Sequence, residues 1–425
     1  MDATDLTALT AAQIAARVHD GRTSAVAVAE AHLARIAELD RRLGAFQEHD
    51  PERVLAEAGA VDRRADRFAL PLAGVPVAIK DCVDVAGYPT RHGSAATSTT
   101  QARRDDELVK RLRAAGAVVI GKTRMPELAI WGFTHSALGT DGGGSIRIPA
   151  AYCGLVGVKP GRGVVPLPGG AEEHWFGMSA VGPLARSAED AALMLGVLAG
   201  RPFPVDAPGP VHVALSLAAP LPFTRPHPDH RAAAIGAAAR LRAAPGGAAV
   251  TLVDPPYPRT LGLTWTRRWH AGVARHAEEL ALDLSAVERR TAAVVRRGRR
   301  VLGFGGPRQA AMTAWRDRVL EWFDEGGYDV LVGPATARPT VAAGALAGRG
   351  YRATFARSAW RMPYTQAWNL AGLPAVVAPV RIAGRPVGVQ LVGRPGAESA
   401  LLSAAATLEQ RVVPMAGAAP RRVYV

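Results

Sequence analysis

Three consecutive glycines run into a serine at Gly142-Gly143-Gly144-Ser145, with Asp141 on one side and Arg147 on the other. Glycines in series reach backbone conformations closed to other residues, and their N–H groups can converge into an anion-binding nest. A serine directly after such a nest could attack a carbonyl carbon while the amides of Gly142, Gly143 and Gly144 hold the developing oxyanion. Asp141 and Arg147 can pair and fix the shape of the loop. A plain glycine-rich turn is the alternative.

A nucleophilic serine needs a group to take its proton. The chain has 51 basic residues, and only Lys80, Lys110, Lys122 and Lys159 are lysines. Arginine keeps its proton in proteins, whereas a desolvated lysine can lose it. Lys80 ends the apolar run of "VAIKD", where burial would lower its pKa toward a neutral amine that can serve as a general base. A lysine snorkelling from a strand end would look the same in sequence. His92 and His135 lie near these loops and leave a histidine-based triad open. Cys153 has no glycine nest before it. Lys110, in "DDELVKRLRAAG", reads as an exposed helix residue.

The stretch "GAVVIGKT" at residues 116–123 matches a phosphate-loop pattern. In a true phosphate loop the four middle residues form the loop and the strand comes earlier. Here "AVVI" is itself strand-like, so its amides belong to a sheet and Lys122 is expected to have a structural partner.

These residues must be positioned by regular elements. "TAAQ", residues 10–13, is a capping box for a first helix, and a second follows with apolar residues at helical spacing. Val75–Ile79 predicts a strand, with Pro76 at its start. Helix 106–115 leads into the strand "AVVIG". "GPLARSAEDAALMLGVLAG" predicts a serine-capped helix. "HVALSL", a helix and "AAVTLVDPP" form a βαβ-like unit, residues 259–325 are mainly helical, and "LPAVVAPVRIAGRPVGVQLVG" alternates as a hairpin before a last helix, 397–410. Strands alternate with helices throughout, which predicts an α/β fold around a large mixed sheet. With no repeat or linker, one domain over 1–425 is expected: N-terminal helices to about 65, a core over about 70–200, a variable α/β insert over about 201–325 and C-terminal strands and a helix after about 326.

Bulk composition narrows the function. No apolar run is long enough for a membrane helix, and the acidic, polar start "MDATDLTALT" does not read as a signal peptide, so a cytoplasmic location is expected. Two cysteines, Cys82 and Cys153, make no disulfide framework and no zinc spacing; each reads as a small buried hydrophobe. The net charge is +14. Its densest run, "VERRTAAVVRRGRR", reads as a helix with a solvated arginine face and lacks aromatic residues to stack bases, so no nucleic-acid partner is expected.

In order along the chain, "LAGVPVAIKD", "GKTRMPE", "ALGTDGGGSIRIPAAYCGLVGVKP", "GPLARSAEDAALML", "YDVLVGP" and "NLAGLPAVVAPV" followed by "GRPVGVQLVGRPG" resemble the amidase signature family. The resemblance spans the chain. It implies a single α/β/α domain and hydrolysis of small-molecule carboxylic amides by a Ser–Ser–Lys triad, without metal or cofactor. Ser145 matches that family's nucleophile, Lys80 its lysine, Gly142–Gly144 its oxyanion loop, and Asp141 and Arg147 structural members of the motif. The family more often has a side chain where Gly142 sits.

The family also carries a "GGSSGGS" segment and a helix between its "MPE" and "ALGTD" motifs, including the serine that bridges lysine and nucleophile. Here "MPELAIWGFTHS" runs straight into "ALGTDGGGS". Ser136, Thr134, Thr140, Ser94 or water could bridge instead. Three alternatives follow: impaired activity, a non-catalytic binding or assembly role, and a role like that of the amide-transferring subunit of a tRNA-dependent amidotransferase. Self-association is allowed. The acyl pocket is expected from 165–180 and 259–325, where Trp175, Trp265 and Trp269 suit an apolar or aromatic group.

Overall fold

The computed structural model describes residues 5–129, 138–206, 212–221 and 224–409. Its strands are β1 (Phe46–Glu48), β2 (Pro76–Lys80), β3 (Val118–Thr123), β4 (Leu138–Asp141), β5 (Val156–Lys159), β6 (Ala180–Ala185), β7 (His212–Leu215), β8 (Ala249–Leu252), β9 (Val330–Pro334), β10 (Ala375–Ile382) and β11 (Arg385–Gly393). They form an 11-stranded sheet in the order β1-β3-β2-β4-β6-β5-β10-β11-β9-β7-β8. β2 runs parallel to β3 and β4, and β7 runs parallel to β8 and β9, while the centre is antiparallel. The expected α/β fold with a mixed sheet is what the chain adopts.

Side chains alternate across a strand, so neighbouring residues enter different cores. Val330 and Val332 of β9 join one apolar cluster while Leu331 joins another. The first cluster packs helices Ala188–Ala199, Pro228–Ala243 and Glu398–Leu408. The second packs Leu261–Glu279, Arg289–Gly303 and Gln309–Glu325. The sheet is covered on both faces, and β3 is buried along its whole length because Val119 enters the first cluster while Val118 and Ile120 pack with Ala25, Ala29, Val54 and Ala58 in a separate one.

The local expectations held where side chains alone dictate structure. Thr10 and Gln13 form a reciprocal capping box on helix Ala11–His19. Pro76 opens β2, where its missing N–H costs no ladder bond. The arginine-rich helix, Arg289–Gly303, buries Val294, Val295 and Gly298 and exposes Arg289, Arg296, Arg299 and Arg300. Among the described residues no helix is long and apolar enough to cross a membrane.

The topology brings two of the candidate residues together. Because β2 and β4 are adjacent and parallel, with Ile79 opposite Leu138, their C-terminal residues, Lys80 and Asp141, emerge at the same end of the sheet.

Candidate active site

Lys80 is fully buried. Its Nζ donates to the Thr140 carbonyl at 3.2 Å and to Thr140 Oγ1 at 3.0 Å. Neither partner is charged, so desolvation dominates and pushes the amine below the ordinary lysine value. Among the described residues considered as a bridge, Thr140 is the one in contact with Lys80. Ser94 is held elsewhere, donating to Glu127 at 2.6 Å. Thr134, Ser136 and His135 lie outside the described residues.

The glycine loop leaves the end of β4 and enters helix Arg147–Cys153. Asp141 organises it. Its carboxylate accepts the N–H of Gly144 at 2.6 Å and of Ile146 at 3.2 Å, and pairs with Arg147 through two bonds of 3.0 Å. Arg147 also donates to the Thr365 carbonyl, Gln390 Oε1 and Asn369 Oδ1 at 2.6–2.8 Å. The Arg147 guanidinium holds the Asp141 carboxyl well below the usual carboxylate range against the opposing effect of burial.

This arrangement corrects one expectation. The Gly144 N–H is spent on Asp141 and does not face a substrate oxyanion. The Gly142 carbonyl accepts from Trp265 Nε1 at 3.2 Å, and the Gly143 carbonyl accepts from Thr365 Oγ1 at 2.7 Å. In a planar trans peptide the next N–H points the opposite way, so these two donors set the direction in which the Gly143 and Gly144 amides face.

All three glycines are required by their neighbours. A Cβ on Gly142 would stand 2.5 Å from the Trp175 ring, and one on Gly143 would stand 2.6 Å from the Trp265 ring. One on Gly144, whose φ is +126°, would meet Thr365 and Ile148 at 2.5 Å. The departure from the family pattern at Gly142 therefore has a physical cause. The indole of Trp175 fills the space that a side chain there would need.

Ser145 opens into an apolar cavity of about 470 Å³. The expected Trp175, Trp265 and Trp269 line it, and so do Phe355, Met362 and Gln366, from a segment with no such expectation attached. Trp265 stacks on Trp269 with ring centroids 5.4 Å apart, and Phe355 stacks on the same Trp269 at 5.8 Å.

The remaining candidates have other partners. Lys122 pairs with Asp81 at 3.4 Å and donates to Thr90 at 3.0 Å, from the end of a strand and not from a phosphate loop. Lys159 is buried and donates to the Pro160 carbonyl. His92 meets His276, with Nδ1 3.3 Å from Nε2. Cys153 is exposed, contrary to expectation, because it ends its helix beyond the packed residues Ile148–Ala151. Cys82 is half-buried, with Sγ 3.7 Å from Thr140 Oγ1. Sequence reasoning missed the supports Thr365, Asn369 and Gln390, although they fall in or beside stretches that resemble the family.

The family model named Amidase matches residues 27–136, 131–259 and 306–402, and the chain belongs to that family. It is 39% identical over 462 aligned residues to the protein named "Putative amidase AmiB2" of Mycobacterium tuberculosis, covering 96% of this chain and 97% of that one. That alignment is longer than the 425 residues of the present chain, so the relative carries residues with no counterpart here. A glutamyl-tRNA(Gln) amidotransferase subunit of Anaeromyxobacter dehalogenans is 33% identical over 92% of this chain and 94% of its own length. Among solved structures, 6-aminohexanoate cyclic dimer hydrolase superposes with a TM-score of 0.84 at 27% identity, over 95% of this chain and 97% of that one. The family match leaves out 260–305, which holds helix Leu261–Glu279 and so much of the cavity wall.

Proposed function

We propose that the protein hydrolyses a carboxylic amide whose acyl group is apolar or aromatic, with Ser145 as nucleophile and Lys80 as base. Ser145 Oγ attacks the amide carbon and its proton passes to the Lys80 amine by way of Thr140 Oγ1. The amides of Gly142 and Gly143 and of Ser145 itself hold the oxyanion. The C–N bond then breaks as Lys80 returns the proton to the leaving nitrogen, and water cleaves the resulting ester. No metal or cofactor takes part in this scheme.

The observation that carries the reading is the loop itself. Ser145 stands at the wall of an aromatic-lined cavity, on a loop whose carbonyls are pinned from behind by Trp265 and Thr365, and the loop follows Thr140, the uncharged residue to which buried Lys80 donates. The names of the relatives agree with amide chemistry. The overlap of the first two family matches at 131–136 agrees with a segment missing at that junction. Thr140 then stands in for the family's bridging serine, and turnover is expected to be low, since losing one member of a catalytic relay costs orders of magnitude in rate.

A serine-directed fluorophosphonate tests this. The expected result is a single adduct at Ser145, with Ser145→Ala losing both adduct and amide turnover. Absence of labelling at every pH up to about 9, where an ordinary lysine is still mostly protonated, overturns it. Co-purification with a second protein that raises activity would move the assignment toward the amidotransferase branch.

A further inference from the structure

A second cavity, of about 370 Å³, lies on the other side of Trp175. Trp175 and Ala129 line both cavities, Ser145 opens only into the apolar one, and Thr140 opens into the second. Thr140 Oγ1 is the atom that holds Lys80 Nζ. In amide cleavage the leaving nitrogen takes its proton from the base, so it must lie on the side from which Lys80 is reached. On the amidase reading given above, on which this inference rests, the second cavity therefore receives the amine half of the substrate.

Its walls specify that amine. His92, His174 and His276 meet there, with the His174 and His276 ring centroids 5.3 Å apart and His92 Nδ1 3.3 Å from His276 Nε2. His174 is tied to Ser179 Oγ at 2.7 Å, beside the nucleophile loop. Burial lowers all three histidines, His92 and His174 to about 3, so the rings stay neutral, and the His92–His276 pair, which spends one N–H and one lone pair on its own bond, keeps one lone pair for a donor. His276 Nδ1 stands 3.6 Å from the Glu279 carboxylate, beyond ordinary hydrogen-bond length. Among the described residues these rings do not converge as a metal-ligand set. At the rim stand the exposed Asp84, Glu173 and Glu279. The one guanidinium lining the cavity among the described residues, that of Arg275, lies over the Phe176 ring at 4.2 Å. Ammonia, the product of a primary amide, would leave such a space unfilled, and a purely apolar amine would leave His276 Nδ1 and the rim carboxylates without a ligand partner.

We propose that this cavity is the leaving-group site, and that it takes an amine bearing a second, cationic nitrogen. The substrate is then an N-(aminoalkyl) amide of an apolar acid.

Three matched amides test it: phenylacetamide, N-butylphenylacetamide and N-(4-aminobutyl)phenylacetamide. The expected kcat/KM for the aminobutyl amide is about tenfold above that of the butyl amide, a size within reach of exposed carboxylates facing a cation. The triple variant Asp84→Asn, Glu173→Gln, Glu279→Gln, confined to exposed side chains, is expected to bring the two substituted amides to the same kcat/KM. Equal kcat/KM for those two amides in the unmodified protein overturns the leaving-group assignment while leaving the amidase reading intact. No turnover of any of the three sinks the amidase reading instead. Calorimetry with 1,4-diaminobutane then decides about the cavity on its own. Binding that weakens in the triple variant supports it, and no binding up to about 10 mM refutes it.

Discussion

At the scale of single residues, the proposed chemistry turns on one proton. Lys80 can accept it only when neutral, and burial beside the uncharged Thr140 lowers the pH at which that happens. Turnover is therefore expected to rise with pH as Lys80 loses its proton, with the rising limb below the ordinary lysine value of 10.5. A pH–rate profile checks this, and a flat profile from pH 6 to about 10 would count against Lys80 as the base. Lys80→Met is expected to cost about 10²–10⁴ in kcat. Thr140→Val, which keeps shape and removes the hydroxyl, is expected to slow kcat with little change in KM, separating a proton-carrying role from a packing one. The pairing of Asp141 with Arg147 and the burial of Lys80 were legible in the sequence, because each residue has a telling neighbour. Asn369 and Gln390 were not. They reach Arg147 across 222 and 243 residues of chain, and nothing local to either one signals a guanidinium partner.

At the scale of elements, the glycine loop is shaped by contacts from behind. Trp175 occupies the place of a side chain at position 142, so Gly142→Thr forces atoms into its ring. Overpacking of this kind is expected to cost about 1–3 kcal/mol. In a Trp175→Ala background the same substitution is expected to cost close to nothing. A double-mutant cycle by denaturant unfolding measures the difference, and additive costs would show that the two residues do not compete for one space. The strand that delivers this loop was hard to foresee. β4, Leu138–Asp141, has a single large apolar residue, and its partner β6 contains both Gly182 and Pro183 in its interior. Proline and glycine argue against a central strand when read alone. β2 and β3, built from Val and Ile, declared themselves, and their C-terminal ends fix where the site must be.

At the scale of the whole molecule, the Asp141–Arg147 pair ties β4, β11 and helix Gln366–Ala371 into one buried network. Asp141 is held ionised in the folded chain well below its ordinary 3.8. A depressed carboxyl contributes its full stability above its unfolded pKa and loses it as the pH falls toward the folded one. Unfolding free energy is therefore expected to drop on acidification below about pH 4, and Asp141→Asn is expected to blunt that part of the acid dependence. At neutral pH the same variant leaves Arg147 buried without its counter-charge, at an expected cost of about 3–5 kcal/mol. Urea titrations at several pH values check both. The sequence pointed to a pair but not to its reach, since a fully buried guanidinium with four separate partners is a property of the assembled core.

The rarity of lysine has one more consequence. Lys80, Lys122 and Lys159 are at most 1% exposed, while the side chain of Lys110, on the surface helix Glu107–Ala114, is 57% exposed. An amine-directed acylating reagent therefore has one lysine to modify in the native chain besides the more acidic α-amino group, and Lys110 is the lysine handle for a tether or a dye. The other three are silent until the core opens. The rates at which they become acylated then time the opening of β2, β3 and β5 separately.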